Sequence, residues 1–273
     1  MSRIAGRFQQ LAAQGRKALV PYIVVGDPEM ALTVPLMHAL VAAGADIIEL
    51  GVPFSDPMSE GPVIQKAHER ALANGARLRD ALDMVQSFRE QDAETPVLLM
   101  GYANPVEHMG YGVFADRAAK AGVDGLLTVD IPPEEVAAVN AELHRVGMDN
   151  IFLIAPTTPP ARIKAIVDQA SGFIYYVALK GVTGAGNLDA ADVAEHLAQI
   201  RTHTQLPLAV GFGIKDAASA RLVGASANGV VVGSALVDCI ARAASEGADH
   251  DGLLQAASAL VAEIREGLDG IAS

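Results

Sequence analysis

Tryptophan is absent from this chain, and cysteine occurs once, as Cys239. A lone cysteine cannot close an internal disulfide, so a reducing compartment is expected. In the run ALVDCIARA it reads as a small buried hydrophobe on a helix. Basic residues are in deficit, with 20 Lys and Arg against 32 Asp and Glu and a formal charge of −12. That balance excludes the clustered positive surface that nucleic acid requires. It does not exclude an anionic substrate, because backbone N–H groups at helix N-termini hold phosphate without a basic side chain. No uncharged apolar run approaches the ~18 residues of a membrane-spanning helix. The opening MSRIAGRFQQLAAQGRK has no apolar stretch of the kind a secretion signal carries, so the cytoplasm is the expected location. The seven histidines are scattered, with no HxH or HxxxH pair, and no metal site is expected. His38, His68, His144 and His196 fall in helical patterns and are expected on solvent faces.

What is present is aliphatic. Apolar residues make up 51% of the 273, aromatics only 4%, and glycine occurs 26 times. Eight short, mostly continuous apolar runs recur: ALVPYIVV, ADIIELGV, PVLLMGY, DGLLTVDI, NIFLIAP, GFIYYVAL, LPLAVGFG and NGVVVGSA. Continuous rather than alternating runs indicate parallel strands covered on both faces. Helical patterns separate them, at 29–44, 61–91, 132–147, 189–203 and 216–224, with one more at 2–14 and a closing one at 252–268. Strand starts are about 22 to 35 residues apart, save one gap of about 50 after the second run. Eight βα repeats predict an α/β fold, a (β/α)8 TIM barrel with an extra N-terminal helix, formed by a single domain over 1–273. An open doubly wound sheet is the alternative.

In a barrel of this kind, chemistry sits at the C-terminal ends of the strands and on the loops that follow. The segment ELGVPFSDPMSEGP puts Glu49 at such an end and Asp56 and Glu60 on the loop beyond it. A carboxylate that follows Ile47 and Ile48 into a barrel mouth loses hydration, so it should titrate high and exchange protons near neutrality. On local sequence alone Glu60 reads as a solvated loop acid and Asp56 as a turn residue. Asp27-Pro28 and Asp130-Ile-Pro-Pro133 read as caps or turns. Lys180 is expected at the surface or near phosphate. Gly181-Val-Thr-Gly184, Gly211-Phe-Gly213 and Gly233-Ser234 stand at three successive strand ends, where glycine lets backbone approach a ligand. Together they predict a phosphate-bearing substrate.

The blocks PYIVVGDP, ELGVPFSDPMSEGPVIQ, GYANPV, VDIPPEE, IAPTTP, GVTGA, GFGIKD and VVGSALV, in this order, resemble the α subunits of tryptophan synthase along essentially the whole chain. The resemblance implies retro-aldol cleavage of indole-3-glycerol phosphate to indole and glyceraldehyde 3-phosphate, without metal or imine. It implies Glu49 as the residue that moves protons and position 60 as the second carboxylate, near the indole N–H. It implies a substrate pocket of Tyr22, Met100, Tyr102, Leu127, Val129, Tyr175, Thr183 and Phe212, and phosphate held by Gly184, Gly213, Gly233 and Ser234. It further implies a β subunit partner carrying pyridoxal phosphate in an α2β2 tetramer, contacted through Pro53, Asp56 and Asn104. The chain departs from the family pattern at position 60, where Glu stands in place of the usual Asp. That extends the carboxylate by roughly one bond, about 1.5 Å. Two other readings stay open: a stand-alone lyase releasing free indole, and a catalytically weak activator of a β partner.

Overall fold

The computed structural model describes residues 2–178, 190–211 and 213–271. Nine parallel strands are present among them: β1 (Ala18–Val24), β2 (Ile48–Gly51), β3 (Val97–Gly101), β4 (Gly125–Thr128), β5 (Asp149–Asn150), β6 (Phe152–Ile154), β7 (Ile174–Val177), β8 (Leu208–Gly211) and β9 (Gly229–Val232). Their order is β5-β4-β3-β2-β1-β9-β8-β7-β6. The two ends of that order are consecutive in sequence, separated only by Ile151. β5 and β6 are therefore two halves of the predicted fifth strand. The first half pairs with β4 and the second with β7, which closes the ring. Eight predicted strands become nine observed ones because the fifth strand is interrupted at Ile151, whose N–H still donates to the Leu126 carbonyl at 2.9 Å.

Side chains alternate between the two faces of each strand. One set, including Leu19, Ile23, Ile48, Leu50 and Leu99, packs outward against the helices. The other set fills the barrel: Ala18, Val20, Leu98, Leu127, Ile151, Ala209 and Val231 are all buried there. The helix Arg3–Ala13 contributes Ile4, Phe8 and Leu11 to this inner cluster and plugs the N-terminal end of the barrel. Its residues 4, 8 and 11 share one face, Phe8 meets Phe173 with ring centroids 5.5 Å apart, and Ser2 caps the first turn by accepting from the Ala5 N–H at 3.2 Å. With that end filled by apolar side chains, the C-terminal mouth is where polar groups gather.

The predicted helical run at 61–91 is two helices, Pro62–Ala73 and Leu78–Arg89. Between them Gly75 takes φ +81°, a left-handed turn that ends the first. The run at 132–147 starts later than its Pro and acidic residues suggest, as the helix Ala137–Arg145. The helices Ala103–Met109, Tyr111–Ala121 and Pro160–Val167 had no counterpart in the sequence reading. The Asp cap at 216 is present, with Asp216 Oδ1 accepting from the Ser219 N–H at 2.8 Å. Cys239 is half-buried on the helix Ser234–Ser245, and burial pushes its thiol pKa up. No helix among the described residues is long and apolar enough to cross a membrane.

Candidate active site

The mouth of the barrel opens into a cavity of about 930 Å³. Its wall is made from strand ends and the loops after them. Tyr22, Glu49, Met100, Leu153 and Tyr175 come from the inward-facing positions of the strands, and Val129 directly follows β4. Ser59, Glu60, Gly61 and Ile64 come from the loop after β2 and the helix that follows. Gly213, Lys215, Asp216 and Ser219 follow β8, and Gly233, Ser234 and Ala235 follow β9.

Glu49 is fully buried, and neither of its carboxylate oxygens finds a hydrogen-bond partner among the described residues. Burial, reinforced by the nearby charge of Glu60, pushes its pKa up to about 8. An unpaired buried carboxyl is costly to keep unless it has a task, and this one is protonated near neutral pH. Tyr22 and Tyr175 lie beside it. Burial first, then the charges of Glu49 and Glu60, hold both phenols well above their usual range, so they remain neutral hydroxyl groups.

Space for those two rings comes from glycine. A Cβ on Gly51 would lie 2.3 Å from the Tyr22 hydroxyl, and one on Gly211 2.2 Å from the Tyr175 hydroxyl. Either addition would drive a phenol out of its place.

Glu60 is not the solvated loop acid its neighbours suggest. Its side chain is 7% exposed, and its Oε2 lies 3.2 Å from His68 Nε2, at ion-pair distance but off the direction of a hydrogen bond. The loop is tied down at several points. Phe54 N–H donates to His68 Nδ1 at 3.0 Å, Ser59 N–H donates to the Tyr102 hydroxyl at 3.1 Å, and Phe54 stacks on Tyr102 at 4.8 Å. Gln65 Nε2 donates to the Glu60 carbonyl at 2.8 Å.

His68 overturns the expectation of a solvent-facing histidine, being 1% exposed. The reason is its position on the helix Pro62–Ala73, where Ile64, Ala67 and Ala71 are buried and residue 68 shares their stripe. That spacing was readable in the sequence. His38 is also partly covered, its ring 4.7 Å from that of Phe88.

Two helix N-termini border the cavity, and they differ. The helix Ala217–Gly224 is closed by its own Asp216. The helix Ser234–Ser245 begins at Gly233, which has no side chain to cap it. Its first-turn N–H groups have no side-chain cap, and such groups are suited to hold an anion. Lys215, which the sequence reading did not single out, adds a cation to the same wall.

Of the sequence-predicted site residues, Tyr22, Glu49, Glu60, Met100, Val129, Tyr175, Gly213, Gly233 and Ser234 meet at this cavity. Tyr102 stands behind the loop and acts on Ser59. Leu127 is fully buried in the inner cluster and does not line the cavity. Thr183, Gly184 and Phe212, with Lys180 and Gly181, lie outside the described residues. Pro53 is buried, whereas Asp56 and Asn104 are exposed. The two Asp-Pro and Asp-Ile-Pro segments are structural. Asp27 pairs through both oxygens with Arg70 at 2.6 and 2.9 Å, and Asp130 accepts from the Ala103 N–H at 2.8 Å. No group of three or more metal-ligating side chains occurs among the described residues.

Comparison with known proteins agrees in one direction. A family described as "Tryptophan synthase alpha chain" matches residues 8–266. The tryptophan synthase alpha chain of Thioalkalivibrio sulfidiphilus is 62% identical over 98% of this chain and 100% of its own length. The crystal structure of tryptophan synthase subunit alpha from Legionella pneumophila superimposes with a TM-score of 0.92 at 46% identity, covering 99% of this chain and 100% of that one. A tryptophan synthase from M. tuberculosis in its aminoacrylate-bound form has a chain that matches with a TM-score of 0.86 at 35% identity, covering 98% of this chain and 100% of that one. The chain belongs to the tryptophan synthase alpha chain family.

Proposed function

We infer that this member of the tryptophan synthase alpha chain family is a carbon–carbon lyase that cleaves indole-3-glycerol phosphate to indole and glyceraldehyde 3-phosphate. The observation that carries the reading is Glu49, fully buried, without a hydrogen-bond partner, and raised to a pKa of about 8 in a cavity that also holds Glu60. The reaction is a retro-aldol cleavage. The bond between ring carbon C3 and the glycerol chain breaks only when C3 carries a proton, so that the ring can accept the electron pair. Protonated Glu49 gives that proton. The resulting carboxylate then takes the proton of the glycerol hydroxyl as the aldehyde forms, and Glu49 returns to its starting state. Glu60 supplies a fixed negative charge against the positive charge that develops on the ring nitrogen.

The remaining site residues take supporting roles. Tyr22, Met100, Val129 and Tyr175 hold the ring, with Leu127 beneath them and Tyr102 fixing the loop. Thr183 and Phe212 belong to the same set by family match. The phosphate sits on the N–H groups at Gly233 and Ser234, at the uncapped helix end, with Gly213 on the same cavity wall; Gly184 belongs to the phosphate set by family match. The full chain acts as one domain over 1–273, in the cytoplasm. Its partner is a tryptophan synthase β subunit, engaged in an α2β2 tetramer through the loops that carry Pro53, Asp56 and Asn104. Pyridoxal phosphate belongs to that partner.

Turnover of indole-3-glycerol phosphate by the purified chain, with and without a β subunit, tests this. Cleavage that rises with the partner supports the reading. Absence of cleavage in both conditions, with folded protein, refutes it.

A further inference from the structure

One imidazole joins both ends of the loop after β2, and the chemistry above leaves it unused. His68 is the most buried histidine among the described residues. Its Nδ1 accepts the Phe54 N–H at 3.0 Å. A ring nitrogen that accepts carries no proton, so the ring proton resides on Nε2. That nitrogen is 3.2 Å from the Tyr22 hydroxyl and 3.2 Å from Glu60 Oε2. One N–H therefore faces two oxygen acceptors. The contact with Tyr22 has hydrogen-bond geometry, whereas the contact with Glu60 has the distance without the direction. A small rotation of either side chain transfers the bond. The Glu60 carboxylate has no other hydrogen-bond partner among the described residues. A buried carboxylate with one donor in reach is oriented by that donor.

We propose that His68 is a positioning residue for Glu60: its Nε2–H, aimed by the Phe54 amide, moves between the Tyr22 hydroxyl and the Glu60 carboxylate and sets where that carboxylate stands in the cavity. The inference rests on the reading of Glu60 as the second working carboxylate. His68 touches no reacting atom and acts through Glu60. It also explains the length of the side chain at position 60. An aspartate there would end about 1.5 Å short of the imidazole, so glutamate and histidine work as a pair.

The test is steady-state cleavage of indole-3-glycerol phosphate by the full chain with a β subunit, comparing wild type with His68→Gln, His68→Leu, Glu60→Asp and the Glu60→Asp/His68→Leu double variant. Thermal melts establish that each is folded. His68→Leu should lower kcat about 10- to 100-fold with KM changed less than about 3-fold. His68→Gln, which keeps a donor, should recover most of that loss. In the Glu60→Asp background the leucine substitution should cost less than about 3-fold, because the contact is already gone. The proposal is overturned if His68→Leu retains wild-type kcat, if Gln is as damaging as Leu, or if the loss is equal in both backgrounds.

Nitrogen-15 NMR of the imidazole provides a readout that needs no turnover. The proton should be found on Nε2, and that resonance should move in Glu60→Gln. A proton on Nδ1, or an unmoved resonance, overturns the proposal. Failure of the wild-type chain to cleave substrate, with the NMR result as expected, would instead remove the lyase reading and leave the His68–Glu60 contact standing.

Discussion

Tyr22 on β1 and Glu49 on β2 are register partners in the parallel sheet, and both line the cavity at the barrel mouth. The pairing puts a neutral phenol next to a carboxyl group that has lost its hydration. Gly51, two residues beyond Glu49 and on the same face, leaves room for the ring. Local strand geometry thus determines which groups surround that carboxyl group.

Replacing Glu49 with Gln keeps the size of the side chain and removes its exchangeable proton. The expected loss in kcat is about 10²- to 10⁴-fold, the range for a general acid–base group, with little change in KM. In the wild type, the rate should fall as pH rises through about 8, where Glu49 loses its proton. Indole release measured across pH checks both.

Glu49 also ties stability to pH. Its pKa is raised from 4.5 to about 8 on folding, so the folded state binds the proton more tightly. The stabilisation is fully present below about pH 4.5 and is lost as pH rises through about 8, at up to about 1.4 kcal/mol per pH unit. Glu49→Gln should abolish this slope and be more stable than wild type above pH 8. Denaturant melts at pH 6 and pH 9 check it; parallel slopes would count against the burial account.

Gly51→Ala should cost about 1–3 kcal/mol and most of the activity, since its Cβ would meet the Tyr22 hydroxyl at 2.3 Å. Gly6→Ala is the contrast. Nothing lies within 4 Å of a Cβ there, and the residue is inside the helix at the opposite end of the barrel. That change should stabilise by about 0.5–1 kcal/mol with activity unaltered. Thermal melts and turnover of the two variants, side by side, decide the matter.

Arg70→Ala removes the ion-pair partner of Asp27, which is 5% exposed. Burial already raises the pKa of Asp27, and Arg70 is the main influence opposing that rise. Stability at neutral pH should drop by about 1–3 kcal/mol, less than for a fully buried pair because the arginine side chain is 36% exposed. The loss should shrink at acid pH, where Asp27 takes up a proton, and urea melts at two pH values measure it.

The barrel was legible in the chain itself. Continuous apolar runs such as NGVVVGSA make strands that must be covered on both faces, and their spacing leaves room for a helical crossover between successive strands. Glu49 was readable as a candidate because an acid directly after Ile47 and Ile48 stands at the C-terminal end of a strand, where the mouth of a barrel lies. His68 was missed although Ile64, Ala67 and Ala71 mark its face as buried. Weighing the histidine by its polarity hid what the helical period showed.

Tertiary structure decided the rest, because those features depend on distances between segments far apart in the chain. Glu60 sits on a loop whose composition predicts solvent, and only the packing of Phe54, Tyr102 and His68 around that loop buries its carboxylate. Of two helix starts at the mouth, the uncapped Gly233 and the Asp216-capped one become alternatives for an anion only when both face the same cavity. The break at Ile151 has no local signal, since it arises from one strand serving two neighbours to close the ring. Periodicity and composition determine which residues turn inward; what they meet there is set by closure of the barrel.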